Sequence, residues 1–353
     1  MDKKRIAVIF GGCSSEYLIS LSSGYAVLAN MDKEKYEIIP IGITEDGRWF
    51  HYRGNIENVK NDKWQQDKLN CIPACIVPDR SVHGMIELAD GIPSVIRLDG
   101  VFPMLHGKNG EDGTVQGLVE MAGIDLMGCG TLSSALCMDK YRAHVVAEEA
   151  GIAVPKACFI DGAFDEASVS SAVAGLTYPL FVKPVRAGSS YGISVIESKE
   201  ELMDAVNLAL EYDDEVIIEE KIDGFEVGCS IIGDGKGTEI VGRVDEIELF
   251  TGCFFDYTRK YTGVDSKIHS PGRLDPETEE RVREAGRVLF KALGCKGFAR
   301  IDMFLTPEKK IVFNEINTIP GFTSVSRFPK MMAGVGLSYP DVIDKIIECC
   351  LSK

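Results

Sequence analysis

The chain has 353 residues, 45% of them apolar and 26% charged, with a formal net charge of −16. That length exceeds what one simple core holds and predicts two or three domains of ordinary soluble composition. The acidic balance argues against a general polyanion binder such as a nucleic-acid protein, although local lysines and arginines can still face nucleotide phosphates.

Met1-Asp2-Lys3-Lys4-Arg5 runs straight into the strand-like Ile6-Ala7-Val8-Ile9-Phe10, so no signal peptide is expected. No apolar run approaches the ~18–20 residues that cross a membrane. Gly11-Gly12 reads as a turn, 20–29 as a helix opened by Ser, and 36–43 and 101–105 as further strands. That order predicts an α/β architecture with a doubly wound parallel sheet and binding loops at the carboxyl ends of its strands. Residues 51–99 show no regular pattern. A long helix is predicted over 132–150, ended by Gly151 with Pro155 close behind. Next come a strand over 179–183, a glycine-rich loop, a strand over 193–196, a helix over 199–211 and a strand over 215–222. Strands follow over 226–232 and 239–248. The polar stretch 249–273 is too long for a connector and reads as a lid or binding loop. A helix over 276–293, a hairpin and a last helix over 339–351 complete the series. The eleven cysteines are scattered without zinc spacing. Cys71, Cys75, Cys349 and Cys350 read as reduced thiols of a cytoplasmic protein.

The hairpin carries the strongest chemical signal. Two apolar runs, 298–304 and 311–317, flank the turn Thr306-Pro307-Glu308-Lys309-Lys310. Symmetry about Glu308/Lys309 sets Asp302 opposite Glu315 and Arg300 opposite Asn317, with all four side chains on one face. Unpaired carboxylates facing each other repel, and a cation between them resolves the conflict. Hard oxygen donors without nearby His or Cys point to Mg²⁺ bridged to phosphate.

Three loops extend the picture. Lys183-Pro184-Val185-Arg186-Ala187-Gly188-Ser189-Ser190-Tyr191-Gly192 leaves a strand with backbone amides, serine hydroxyls and a lysine that suit phosphate, though it is not a Walker loop. Glu219-Glu220-Lys221-Ile222 ends a strand whose edge can face adenine, while Glu219 or Glu226 could accept from ribose hydroxyls. Leu105-His106-Gly107-Lys108-Asn109-Gly110-Glu111-Asp112-Gly113-Thr114 reads as a substrate rim, with His106 equally readable as a structural histidine. Glu16, after the first strand, could hold an ammonium group.

Taken together, 11–16, 106–114, 133–140, 183–192, 255–261, 300–302 and 314–326 resemble the D-alanine–D-alanine ligases of the ATP-grasp superfamily over essentially the whole chain. The resemblance implies a three-domain ATP-grasp fold, with an N-terminal substrate-binding domain at 1–130, a central domain at 131–223 and a C-terminal domain at 224–353 bearing a lid at about 249–273. It implies ATP gripped between the last two domains, with Lys140, Lys183 and Ser190 near phosphates and Glu219, Glu220, Ile222 and Glu226 lining the adenosine site. Asp302, Glu315 and Asn317 would hold Mg²⁺, as two ions that Mn²⁺ could replace. Glu16, Ser189 and Tyr261 would engage the first D-alanine, Arg300 and the Gly321 N–H the oxyanion, and Lys260 and Ser326 the second substrate's carboxylate, with His106 on the substrate rim. A homodimer is also implied; nucleic acid and membrane are not expected partners.

Two positions depart from the plain family pattern: Phe255 where a Tyr is usual, and Arg327 where an apolar residue is usual. They resemble the vancomycin-resistance ligases of the VanG type, which join D-alanine to D-serine. A guanidinium beside the second subsite offers a donor fork to a serine hydroxyl, and sites that bond a hydroxyl discriminate against the analogue lacking it. The competing reading is that Arg327 points to solvent or pairs with an acid of the lid. Ordinary D-alanine–D-alanine synthesis for the cell wall is the alternative activity.

Overall fold

The computed structural model describes residues 3–162, 164–188, 191–250 and 266–352. The first sheet begins with β1 (Lys4–Gly11), α1 (Tyr17–Asn30), β2 (Tyr36–Ile43), β3 (Trp49–Tyr52), α2 (Glu57–Lys60), β4 (Cys71–Ile76), β5 (Gly84–Ala89) and β6 (Ile92–Arg97). It is completed by β7 (Gly100–Pro103), α3 (Thr114–Met121) and β8 (Asp125–Leu126), in the order β6-β5-β4-β3-β2-β1-β7-β8. Strand β1 pairs in parallel with both β2 and β7, and β7 with β8. From β2 to β6 the pairings are antiparallel. The expected parallel sheet is therefore half of a mixed one, and the patternless 51–99 region supplies most of the antiparallel extension. Short strands in which only one face alternates, such as the largely exposed β6, give weak sequence signals. Strand β1 is buried on both faces: Ile6, Val8 and Phe10 join one core and Ala7 and Ile9 another.

Helices α4 (Thr131–Met138) and α5 (Lys140–Glu149) replace the single long helix predicted over 132–150. Asp139 takes an extended conformation between them, and its carboxylate accepts from the Arg142 N–H as the N-cap of α5. An acceptor side chain placed there stops one helix and starts the next. A second sheet, β11-β10-β12-β9, is antiparallel and comprises β9 (Ala157–Ile160), β10 (Leu180–Pro184), β11 (Ser194–Ile196) and β12 (Val216–Glu220), with α6 (Glu166–Ala172) and α7 (Leu202–Leu210) on it.

The third sheet holds β13 (Phe225–Gly233), β14 (Ile240–Val241), β15 (Asp245–Leu249), β16 (Ser266–His269), β17 (Gly297–Leu305) and β18 (Ile311–Asn317), with α8 (Pro276–Ala292) against it. The strand predicted over 239–248 is broken at Gly242, whose N–H turns to the Ser230 carbonyl. The stretch predicted as irregular over 249–273 starts and ends in regular structure, because β15 pairs with β16 on either side of 251–265. Helices α9 (Arg327–Ala333) and α10 (Tyr339–Cys350) follow. Val342, Ile343, Ile346 and Ile347 of α10 share one core with Ile6, Val8 and Phe10 of β1.

Candidate active site

The β17–β18 hairpin pairs Arg300 with Asn317 and Asp302 with Glu315, the register symmetry predicts. Nearer the turn the register slips, so that Met303 faces Phe313 and Asn314 is the extra residue of a bulge. The premise of unpaired acids needs correction. Asp302, 1% exposed, accepts from Arg300 Nε at 2.9 Å and Nη2 at 2.7 Å and from Asn317 Nδ2 at 3.0 Å. Arg327 Nη1 lies 3.2 Å from its other oxygen. Two guanidinia and an amide already offset the carboxylate.

A cavity of about 750 Å³ opens between the second and third sheets, lined among others by Lys140, Lys183, Glu219, Glu220, Ile222 and Glu226. All the described side chains expected around ATP thus come together. Two of these glutamates already have partners within the protein. Glu219 is buried and accepts from Lys183 Nζ at 2.5 Å. Burial alone would raise its pKa, but Lys183, His144 and Lys140 outweigh burial and hold it below the ordinary carboxylate value. Glu220 accepts from the Thr177 N–H at 2.9 Å. Glu219 thus serves as an internal counter-ion to Lys183, and Glu220 anchors the Thr177 amide. Lys140 Nζ donates to the Ala187 carbonyl at 2.7 Å, fixing the strand exit where the glycine-rich loop begins.

A second cavity of about 520 Å³ meets the first at Lys140, Ala187, Glu226 and Glu315, which line both. It gathers Glu16, His106, Arg300, Asp302, Asn317, Gly321, Ser326 and Arg327 from widely separated segments. Ser189, Ser190, Phe255, Lys260 and Tyr261 lie outside the described residues. Both His106 nitrogens are taken: Nδ1 is 3.0 Å from the Ile319 carbonyl and Nε2 is 2.8 Å from Ser23 Oγ. Its Nδ1–H donates and Nε2 accepts, and burial lowers its pKa. His106 therefore braces the 318–321 turn in place of offering a free nitrogen to substrate. Ser326 caps α9, and its Oγ accepts from the Thr323 N–H at 3.1 Å.

Arg327 is buried and pairs with acids that lie outside the expected lid. Its Nε and Nη2 each lie 2.8 Å from Asp245, and Nη1 is 2.8 Å from Glu226. Burial opposes the charge, yet Asp245, Asp302 and Glu226 outweigh it and hold the guanidinium well above its ordinary pKa. Of five N–H donors, these contacts leave one on Nη2, so a two-pronged fork toward substrate is excluded in this arrangement. Gly228 makes the arrangement fit, since a Cβ there would come within 2.4 Å of both Arg327 Nη2 and Asp245 Oδ1.

Asp245 carried no signal of its own: it is fully buried inside a span predicted as one unbroken strand. Glu111 was visible only as one acid of the glycine-rich turn. In the fold its carboxylate accepts from the Gly107 N–H at 2.7 Å and lines the second cavity beside Glu16. Burial, reinforced by the Glu16 charge, pushes its pKa up to about 8. Gly107, at φ +73°, permits the crowding: a Cβ would meet Glu16 Oε2 at 2.8 Å.

Comparison with known proteins is decisive for the family. Residues 5–129 match the family described as D-ala D-ala ligase N-terminus, and 146–348 match D-ala D-ala ligase C-terminus. The chain belongs to the D-alanine–D-alanine ligase family. It is an ATP-dependent ligase. It is 41% identical to the vancomycin/teicoplanin A-type resistance protein VanA of Enterococcus faecium, over 99% of both chains. It is also 41% identical to a D-alanine–D-alanine ligase of Caldicellulosiruptor bescii, over 100% of this chain and 96% of that one. The crystal structure of VanG D-Ala:D-Ser ligase from Enterococcus faecalis superposes with a TM-score of 0.92 at 55% identity, over 99% of each chain. Ligases of this family use ATP with a divalent metal. The donor set fits such an ion: Asp302, Glu315 and Asn317 offer only hard oxygen ligands on one hairpin face, lining the cavity that adjoins the larger one. Among the described residues no helix is long and apolar enough to cross a membrane.

Proposed function

We propose that this ligase joins D-alanine to D-serine in the cytoplasm, supplying a modified peptidoglycan terminus that lowers vancomycin affinity. The observation that carries the reading is Arg327, a buried guanidinium on the wall of the second cavity next to Ser326. The 55% identity to the VanG D-Ala:D-Ser ligase supports it. Asp245 and Glu226 hold the guanidinium rigid, and its remaining Nη2 donor serves a serine hydroxyl that an alanine methyl could not satisfy.

In the proposed reaction the first D-alanine carboxylate attacks the γ-phosphorus of ATP, breaking the bond to ADP and forming an acyl phosphate. The second amino acid, as a neutral amine, then attacks the acyl carbonyl, and phosphate leaves with the electron pair. Glu16 pairs with the first ammonium, joined by Ser189 and Tyr261. Lys140 and Lys183 face the phosphates, with Ser190. Arg300 has Nε and Nη2 occupied by Asp302, so the oxyanion bond falls to Nη1 and the Gly321 N–H. Ser326 and Lys260 receive the second carboxylate, and Phe255 shapes its pocket. Two Mg²⁺ ions held by Asp302, Glu315 and Asn317 would offset charge on the transferring phosphate.

Purified enzyme given ATP, D-alanine and D-serine at equal concentrations should yield mainly D-alanyl-D-serine on product separation. Exclusive D-alanyl-D-alanine would return the chain to ordinary cell-wall synthesis, the activity that the 41% identical Caldicellulosiruptor bescii relative supports.

A further inference from the structure

We propose that His144 is a positioning residue for nucleotide binding, a clamp that orients the Glu219–Lys183 pair across the two walls of the larger cavity. The inference rests on reading that cavity as the ATP site. His144 sits on α5, 4% exposed, with its ring edge against Phe313 at a centroid distance of 5.5 Å. Its Nε2 is 2.8 Å from the Asn314 carbonyl, the bulge residue beside Glu315. A carbonyl only accepts, so Nε2 carries the hydrogen. On the other side Nδ1 lies 3.5 Å from Glu219 Oε1. Both atoms are buried, and neither has a hydrogen-bond partner among the described residues.

Two buried, unsatisfied polar atoms facing each other are costly, and the cost disappears when a proton lies between them. With that proton, the imidazole donates to β18 on one side and to β12 on the other. Glu219 is then held by both its oxygens, Oε1 from His144 and Oε2 from Lys183. The lysine ammonium is thereby fixed relative to the hairpin that bears Glu315. Neither wall of the cavity can shift against the other without breaking this chain of contacts. Among the described residues Lys183 and Glu219 line the larger cavity and not the smaller one, so the effect should fall mainly on nucleotide.

The test is His144→Gln against His144→Lys, assayed by phosphate release with D-alanine as both amino acids, so that second-substrate preference plays no part. Gln reaches only one side, and KM for ATP should rise by about tenfold, the scale of one charge-assisted hydrogen bond. KM for D-alanine should change by less than about twofold. Lys donates to both sides and should keep KM for ATP within about threefold of the parent. An unchanged ATP KM in His144→Gln, or equal rises for ATP and D-alanine, overturns the proposal. Should His144→Gln fail to fold, Glu219→Gln must show the same ATP-selective rise, and its absence is equally fatal. Calorimetry with a non-hydrolysable ATP analogue separates the two levels. A parent enzyme that binds no analogue refutes the cavity assignment, whereas parent binding matched by His144→Gln refutes only the clamp.

Discussion

The 750 Å³ cavity draws its charged side chains from neighbouring strands and a helix start, whereas the 520 Å³ cavity gathers its own from α1, the turn after β7, the β17–β18 hairpin and the start of α9. The first keeps separate compact ion clusters, Lys183–Glu219 and Arg273 with Glu246 and Glu248, within a mostly strand-built wall. The second is threaded by a network in which Arg300 and Arg327 share Asp302 while Asp245 and Glu226 complete the set. A pocket for a cosubstrate common to many enzymes can be made from local motifs. On the proposed function, the second pocket must distinguish two small amino acids, and its donors are fixed in position by long-range pairing.

The largest expected effect tests where the two cavities join. Asp302→Asn combined with Glu315→Gln should lower dipeptide synthesis by about a thousandfold or more, since charge offset at the phosphate is lost. Undiminished synthesis would refute the ligand assignment.

Arg327→Leu should cut the ratio of D-alanyl-D-serine to D-alanyl-D-alanine by about 10–100-fold. It also strands Asp245, which is fully buried, so stability in denaturant titration should fall by about 3–5 kcal/mol. Equal selectivity in the variant would remove Arg327 from the second subsite. A smaller change should follow from Gly228→Ala, whose methyl displaces the Arg327–Asp245 contact. The product ratio should drop by a few fold, on the order of 1 kcal/mol, and an unaltered ratio would show that the guanidinium's exact seat is immaterial.

The smallest effect concerns Glu111. Its folded pKa is raised to about 8, so between the unfolded value near 4.5 and pH 8 the unfolded chain has lost a proton that the folded one keeps. Stability attributable to this group therefore falls as pH rises through that window. Glu111→Gln should flatten the decline and be more stable than the parent at pH 8 by on the order of 1 kcal/mol, read from urea midpoints. A parallel pH profile would place the elevated proton affinity elsewhere.

Much of this architecture was legible in the chain because periodicity and pairing are local. Tyr36–Ile43 alternates and is flanked by turns, and it forms β2 with those bounds. The Arg300–Asn317 and Asp302–Glu315 pairs follow from a five-residue turn, although the bulge at Asn314 does not. Asp139 could not be read as a helix break, since an acid within a helical pattern is usually solvent-facing until its backbone is seen. Arg327 and Asp245 lie 82 residues apart, and no periodic pattern reports which arginine meets which acid. The same limit hid Glu219's role, for a glutamate ending a strand reads as solvated unless the lysine opposite it is known.

One packing arrangement bears on how the protein is made. The core that takes in Ile6, Val8 and Phe10 of β1 also takes in Val342, Ile343, Ile346 and Ile347 of α10. During translation some 330 residues must leave the ribosome, at about 5–20 per second, before those side chains arrive. Until then that shared core lacks its last helix, and part of its apolar surface stays open while the chain is being made.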